Sequence, residues 1–418
     1  MTAPAPSPPP SPPAAPLALH VAQQRLVWMA PALAIDHRAS AECAGFYLAH
    51  PVNAHRSQPD RAVSAMDGYA MRAADLPGPW RVIGESAAGH PFAFAIAAGE
   101  AVRISTGAAL PDGADMVLMQ EDAAREGDRL ALTGTPPSPP AAHVRPAGMD
   151  FALDTPLLAP GSRIGPAQIA LAIAGGHPYL RVRRPVRLAI IDSGDELALP
   201  GKPLQPGQVP ASNGAMLAAM ASVLPVEITR IGPVPDRLDD LVAALDQAAR
   251  ADVVVTSGGA SVGDHDLVRP ALAALGVEID FWRVAIKPGK PLLVGRCPRP
   301  GGAAPQVVLG LPGNPASAFV TGFLFMLPLL RAALGAADPL PRTIPARLAG
   351  DMAEGGNRTE FLRARYANGL VTLDPLQDSG AITSLARANA LVVREARAAP
   401  VRAGTEVAVY LLETGGIA

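Results

Sequence analysis

From residue 185 to 335 the chain alternates short apolar, β-branched runs with segments of helical period, a pattern few architectures accommodate. Strands buried on both faces read as unbroken apolar runs, and the helical segments between them read as crossovers. A largely parallel sheet covered on both sides is therefore expected. Its strands are expected at 185–191, 226–231, 252–256, 278–284, 292–294 and 307–309, and its helices at 212–224, 236–250, 268–275 and 316–330. Three glycine-rich turns fall inside this stretch: Ser257-Gly-Gly-Ala-Ser-Val-Gly263 followed by Asp264 and Asp266, Lys287-Pro-Gly-Lys-Pro291, and Gly310-Leu-Pro-Gly-Asn-Pro315. In an open α/β sheet such loops gather at the carboxyl ends of the strands, where ligands bind.

A chain of 418 residues is too long for one core and should divide into two to four domains. Residues 1–16, mostly proline, alanine and serine, lack a basic start and a long apolar stretch, and read as a disordered tail rather than a secretory signal. Residues 17–50 read as helical. Between 51 and 150, short alternating segments at 81–84, 100–104 and 116–119 indicate a small β-rich insertion, with a proline-rich loop over 133–142. A helix opens at Pro166 and stops at Gly175-Gly176. Beyond Pro341 the helical patterns vanish and a small all-β unit is expected.

A formal net charge of −2 with no lysine/arginine block leaves no footprint for nucleic acid. Cys43 and Cys297 are far apart, and the eight histidines include no His-x-x-x-His pair, so neither a disulfide scaffold nor a zinc site is expected. The most lipophilic stretch, 319–330, falls short of the roughly 18 residues of a membrane span and reads as a buried helix. The expectation is a soluble chain in a reducing cytoplasm.

Several strings carry chemistry when read with their neighbours. Asp195-Glu196 follows the first strand across the Ser193-Gly194 turn, where two acids suit either Mg²⁺ or a solvated turn. Asp236 stands immediately before a helix and reads first as its N-cap, on the same rim as the glycine turns. Ser257, Gly258, Gly259, Ser261 and Gly263 let backbone N–H groups approach anionic oxygens with no Cβ in the way. Carboxylates beside such a cradle fit it only if a cation intervenes, so Asp264 and Asp266 imply a metal. Lys287 and Lys290 are a pair of point charges on a stiff turn, suited to phosphate, to an oxyanion such as molybdate, or to a plain solvated hairpin. Pro291, where a Walker A loop has Ser or Thr, excludes that motif. Pro312, Gly313, Asn314 and Pro315 open the last helix, whose N–H groups favour an anion, although a structural elbow fits nearly as well. In the β-rich insertion Ser64-Ala-Met-Asp-Gly-Tyr69 is unusually specific, whereas Thr106-Gly107 and 145–150 are ambiguous when read singly.

Taken together these strings resemble the MoeA family, the molybdopterin molybdenumtransferases, whose eukaryotic counterpart is the gephyrin E domain. The matching strings are Ser64-Ala-Met-Asp-Gly-Tyr-Ala70, Ser105-Thr-Gly-Ala108 with Pro111 and Gly113-Ala-Asp115, Ser193-Gly-Asp-Glu-Leu197, and the three glycine turns, in order along a match covering about 17–415. The resemblance implies a multidomain α/β protein. It has a linking, mostly helical domain at 17–50 plus 151–184 and a β-rich lid domain at 51–150. A central three-layer α/β/α molybdopterin-binding domain at 185–335 is shared with the MogA adenylyltransferases, and a small β-barrel-like domain occupies 340–418. It also implies an elongated homodimer, each site lying between the central domain of one subunit and the lid of the other.

Carried over by motif, Glu196, Asp236 and Asp266 are the principal acids and hold Mg²⁺, and Asp67, Thr106 and Asp150 come from the lid. Lys287 and Lys290 are the cationic pair. Ser193, Gly194 and the glycine-turn residues bind the cofactor, Pro312 and Pro315 shape the rim, and Ser379 reaches in from the C-terminal domain. The family reaction moves molybdate into adenylylated molybdopterin and releases AMP, which implies transient contacts with a molybdopterin adenylyltransferase and with acceptor molybdoenzymes. Neither nucleic acid nor membrane is implied. The central domain alone suits an adenylyltransferase, and a non-catalytic molybdopterin-binding scaffold is the other alternative; the lid strings and the C-terminal unit favour the transferase. Three departures stand out: Met149 in Arg145-Pro-Ala-Gly-Met-Asp150 replaces an acid, Ala211-Ser-Asn213 replaces Asp-Ser-Asn, and Asp192-Ser-Gly-Asp-Glu196 replaces Ser-Thr-Gly-Asp-Glu. They weaken two carboxylate assignments and leave Glu196, Asp236 and Asp266 standing.

Overall fold

A computed structural model describes residues 15–258, 267–299 and 304–412. The apolar runs after residue 185 form one six-stranded sheet: β1 (Val186–Ser193), β2 (Val226–Val234), β3 (Val253–Ser257), β4 (Glu278–Arg283), β5 (Pro291–Cys297) and β6 (Gln306–Leu311), in the order β2-β1-β3-β6-β5-β4. β2, β1, β3 and β6 are parallel, and β5 runs against both of its neighbours. The helices are α1 (Leu19–Trp28), α2 (Pro166–Ala174), α3 (Asn213–Ala221), α4 (Leu238–Gln247), α5 (Val268–Ala274), α6 (Pro315–Ala333) and α7 (Ile382–Arg387).

The period of two along the strands sorts the core into two layers. Leu188 and Ile190 of β1 and Val253 and Val255 of β3 share a core with α1, α3 and α6. Ala189, Ile191 and Val254 face the other way, onto α4 and α5. At 19 residues α6 is longer than its sequence suggested and is long and apolar enough to cross a membrane, but 89% of that apolar window is buried inside the protein. Burial, not length, identifies it as a core helix.

The expected helix over 17–50 stops at Trp28. Its second half is instead the strand Ile35–Ala39, paired antiparallel with Tyr179–Arg183 far along the chain. Residues from both sides of the β-rich segment, among them Phe46, Leu48, Ile164, Ala172 and Leu180, pack into one core. The segment itself forms a separate six-stranded sheet in the order Met116–Met119, Gly68–Met71, Glu100–Ile104, Trp80–Ser86, Arg129–Leu132, Ala123–Glu126.

After residue 341 the strands Thr359–Ala367, Leu370–Leu373, Ile344–Leu348, Glu406–Leu411 and Ala390–Arg394 pair in that sequence, and the last pairs with the first. The sheet thus closes into a five-stranded barrel and leaves no free edge among those strands. One helix, α7, interrupts this unit where none was expected, because six residues are too few to show a helical period. Ile286–Lys287 pairs with Thr359–Glu360 of the barrel, which fixes the lysine turn against it.

Candidate active site

The parallel strands β1, β3 and β6 end together, and a cavity of about 740 Å³ opens at those ends. Ser193, Gly194, Glu196, Asp236, Gly258, Pro312, Gly313, Asn314 and Pro315 all line it. Gly258 is obligatory there: its φ is +104°, and a Cβ would lie 2.3 Å from the carbonyl oxygen of Ser193. Close approach of two strand ends, not flexibility, explains this glycine.

Asn213, at the start of α3, spans the rim. Its Nδ2 donates to Ser257 Oγ at 2.9 Å and to the Gly313 carbonyl at 2.7 Å, joining the second and third strand ends. Asn314 Nδ2 donates to Ser379 Oγ at 3.1 Å, and the Ala316 N–H donates to the Ser379 carbonyl at 3.0 Å. Ser379 therefore fills part of the α6 N-terminus that the sequence reading left open for an anion.

Asp236 does not cap the following helix, which begins at Leu238 with Arg237 in the capping position. Its carboxylate instead accepts from Ser193 Oγ at 3.0 Å and from the Asp195 N–H at 3.4 Å, while its own N–H donates to Asp195 Oδ1 at 3.0 Å. These bonds tie the end of β2 to the turn after β1. Glu196 is exposed on the same wall. Asp192, which sequence reasoning noted only as a departure, is 5% exposed and also lines the cavity. Burial pushes its carboxyl up, against the Gly214 N–H and the charge of Arg230, which act in the other direction. Ala211 lines the cavity too, so an acid absent from one wall is matched by one present on another.

Among the described residues no group of three or more His, Cys, Asp or Glu side chains is placed to hold a metal. Asp266 lies outside the described residues, as do Gly259, Ser261, Gly263 and Asp264. Glu196 and Asp236 supply two carboxylates to one cavity, a donor set that fits Mg²⁺, which commonly takes one or two carboxylates together with substrate phosphates.

Lys287 and Lys290 line a second cavity of about 370 Å³ with Arg358, Asp378 and Ser379, and Pro291 lines both cavities. Although the lysine turn precedes β5, that strand is antiparallel, so its beginning lies on the same rim as the ends of β3 and β6. Lys287 Nζ donates to Glu360 at 3.0 Å, whereas Lys290 is exposed with no ion-pair partner among the described residues. Glu360 stands 73 positions away and carried no signal in the sequence.

The β-rich sheet brings Asp67 and Thr106 together: the Asp67 carboxylate accepts the Thr106 N–H at 2.7 Å and its hydroxyl at 3.0 Å. Those two bonds hold the Asp67 carboxyl below the ordinary range. Asp150 is exposed and bonded through its N–H to the Gln58 carbonyl. None of the three lines either cavity.

In sequence the chain matches the MoeA N-terminal region (domain I and II) over residues 17–176, a probable molybdopterin binding domain over 189–332, and the MoeA C-terminal region (domain IV) over 345–412. It is 36% identical to the molybdopterin molybdenumtransferase of a Nostoc species, covering 88% of this chain and 86% of that relative. The protein of the same name from Haemophilus influenzae is 32% identical over 83% of this chain and 86% of its own. Among solved structures the chain is similar to a molybdopterin biosynthesis MoeA protein from Pyrococcus horikoshii, with a TM-score of 0.78 at 31% identity, over 95% of this chain and 99% of that one.

Proposed function

The chain belongs to the molybdopterin molybdenumtransferase (MoeA) family, and from that membership we propose that it inserts molybdate into adenylylated molybdopterin and releases AMP. The observation that carries this reading is the cavity at the strand ends, where Glu196, Asp236, Gly258 and the 312–315 turn share one wall space and two lysines stand in the adjoining cavity. The substrate brings a phosphoanhydride, and molybdate is a dianion, so the two repel unless their charge is neutralised. Lys290, free of any acidic partner among the described residues, would attract the oxyanion, with Lys287 and Ser379 beside it. Gly313 would let its backbone N–H reach the phosphates, whereas the Gly258 N–H is given to the Leu311 carbonyl at 3.2 Å.

Magnesium belongs to the same proposal. Glu196, Asp236 and Asp266 would hold it, and when bound it would draw charge from the phosphoanhydride. The chain's own part is to keep Asp236 oriented through Ser193 and Asp195, and to set the spacing of the rims through Asn213. Asp67, Thr106 and Asp150 would close the site from a second copy of the chain, since they line neither cavity in one subunit. A homodimer, the division into four domains, a cytoplasmic location and transient contacts with an adenylyltransferase and acceptor molybdoenzymes complete the reading. The test is to incubate purified protein with adenylylated molybdopterin with and without molybdate. AMP release only when molybdate is present is the expected result; release without it, or none with it, refutes the proposal.

A further inference from the structure

The lysine cavity carries less positive charge than its lining suggests. Lys287 and Glu360 stand in register where 286–287 pairs with 359–360, and Lys287 Nζ donates to a Glu360 carboxylate oxygen at 3.0 Å. Glu360 is 8% exposed and lines neither cavity, so it meets the lysine and not a ligand. The Lys287 side chain remains more than half exposed along the cavity wall. Arg358, two residues before Glu360, lines the same cavity and is tied to the same turn, its Nη1 donating to the Ile286 carbonyl at 3.2 Å.

Lys287, Lys290 and Arg358 give the cavity three cations, and Asp378 and the hidden Glu360 offset two of them. One positive charge in excess therefore faces an oxyanion that carries two negative ones. Without Glu360 that excess would double, and attraction by bare charge grows in proportion. An ion that must pass on to the adjoining cavity needs a station that both fills and empties readily. Pro291 lines both cavities, so the lysine side adjoins the space proposed for the phosphates. We propose that Glu360 is a positioning residue acting through Lys287: it holds the ammonium in place and halves the net charge, which keeps the oxyanion loosely bound and free to move on. The inference rests on the proposed function and adds to it a reason for burying an acid behind the lysines.

Two measurements on the full chain test it: calorimetric titration with molybdate alone, and AMP release from adenylylated molybdopterin at graded molybdate concentrations. Glu360→Gln keeps an acceptor for Lys287 and removes only the charge. It should bind molybdate about threefold or more tightly than wild type, with a lower kcat. Glu360→Asp keeps the charge and should stay within about twofold of wild type. Glu406→Gln, at an exposed barrel acid that lines neither cavity, makes the same change in overall charge and should alter neither value. A merely structural role has the opposite sign, since losing a buried contact loosens the wall and weakens binding. Unchanged or weaker molybdate binding in Glu360→Gln therefore overturns the inference, and so does tighter binding with an undiminished kcat. Should Glu360→Gln not fold, the double variant Lys287→Ala, Glu360→Gln removes the pair whole. It should bind molybdate more tightly than Lys287→Ala alone, and equal or weaker binding overturns the inference. Wild type that neither binds molybdate nor releases AMP refutes the proposed function itself, an outcome distinct from these.

Discussion

Replacing Gly258 with alanine tests whether the strand-end cavity is held at a fixed width. The added Cβ would sit 2.3 Å from the Ser193 carbonyl oxygen, whereas carbon–oxygen contacts settle near about 3.3 Å. The ends of β1 and β3 would have to part by about 1 Å, and both are tied into the same parallel ladder, with Asp192 opposite Ser257. The φ of +104° adds backbone strain, about 1–3 kcal/mol for a non-glycine residue. Gly127→Ala is the matched control, with φ +62° and nothing within 4 Å of the new methyl, so it bears strain without a clash. Urea denaturation should place Gly258→Ala roughly 2–4 kcal/mol below wild type and Gly127→Ala about 1 kcal/mol below. A displacement of this size beside reacting groups lowers turnover by about a hundredfold, so AMP release should fall that far in Gly258→Ala and stay near wild type in the control. If the two variants unfold and turn over alike, the close approach of β1 and β3 does not set the geometry of the site.

Three further outcomes follow from particular contacts. Asp252, 2% exposed, receives both guanidinium nitrogens of Arg184 at 2.7 and 2.8 Å and the Arg187 N–H at 2.9 Å. Burial pushes its carboxyl up, but these bonds and the charges of Arg184 and Arg299 outweigh that and hold it below the ordinary range. Asp252→Asn should therefore cost about 3 kcal/mol at pH 7. Because the folded value lies below the unfolded one, the wild-type advantage should be complete above about pH 4–5 and fade as pH falls through the folded value, followed by urea midpoints. Lys290→Ala should leave the melting temperature unchanged and raise the molybdate KM. Lys287→Ala should lower both stability and molybdate affinity, because Glu360 loses its partner; equal behaviour of the two variants would refute the division of roles. Asn213→Ala should remove two rim hydrogen bonds, lowering stability by about 1–2 kcal/mol and weakening AMP binding, and an unchanged AMP titration would refute its bridging role.

Local constraints were readable in advance and distant ones were not. The glycine turns announced themselves because a close backbone approach or a positive φ limits the choice of residue at the position itself. The segment Ile35–Ala39 lies in a stretch of helical pattern, yet it is a strand because its partner Tyr179–Arg183, more than a hundred residues away, sets its conformation. Locally Asp236 has the pattern of a cap, since the residues that engage it, Ser193 and Asp195, lie at and just beyond the end of a different strand. Asp192 stands out in the sequence only as a departure within Asp192-Ser-Gly-Asp-Glu196; its burial and its bond from the Gly214 N–H depend on the packing of α3 against β1. Six ordered strings pointed to the family, but none could show that the acids and the lysines occupy adjoining cavities rather than one.

That separation has a physical consequence. Had Lys287 and Lys290 shared a cavity with Glu196 and Asp236, the four charges would neutralise one another and leave little field for an incoming anion. Held apart by Pro291 and the 379–380 turn, the lysine side can attract one anion while the carboxylate side orients a ligand through donors or a cation. The turn is itself tied to the rim, through Asn314 to Ser379 and from the Ser379 carbonyl to the Ala316 N–H. Arg363, fully buried in the barrel, fixes the turn from behind by donating to the carbonyls of Leu376 and Asp378 at 3.1 and 2.9 Å. The barrel is therefore part of the wall between the two charge environments. Changes in its interior should alter how the two anions meet even where no side chain touches either one.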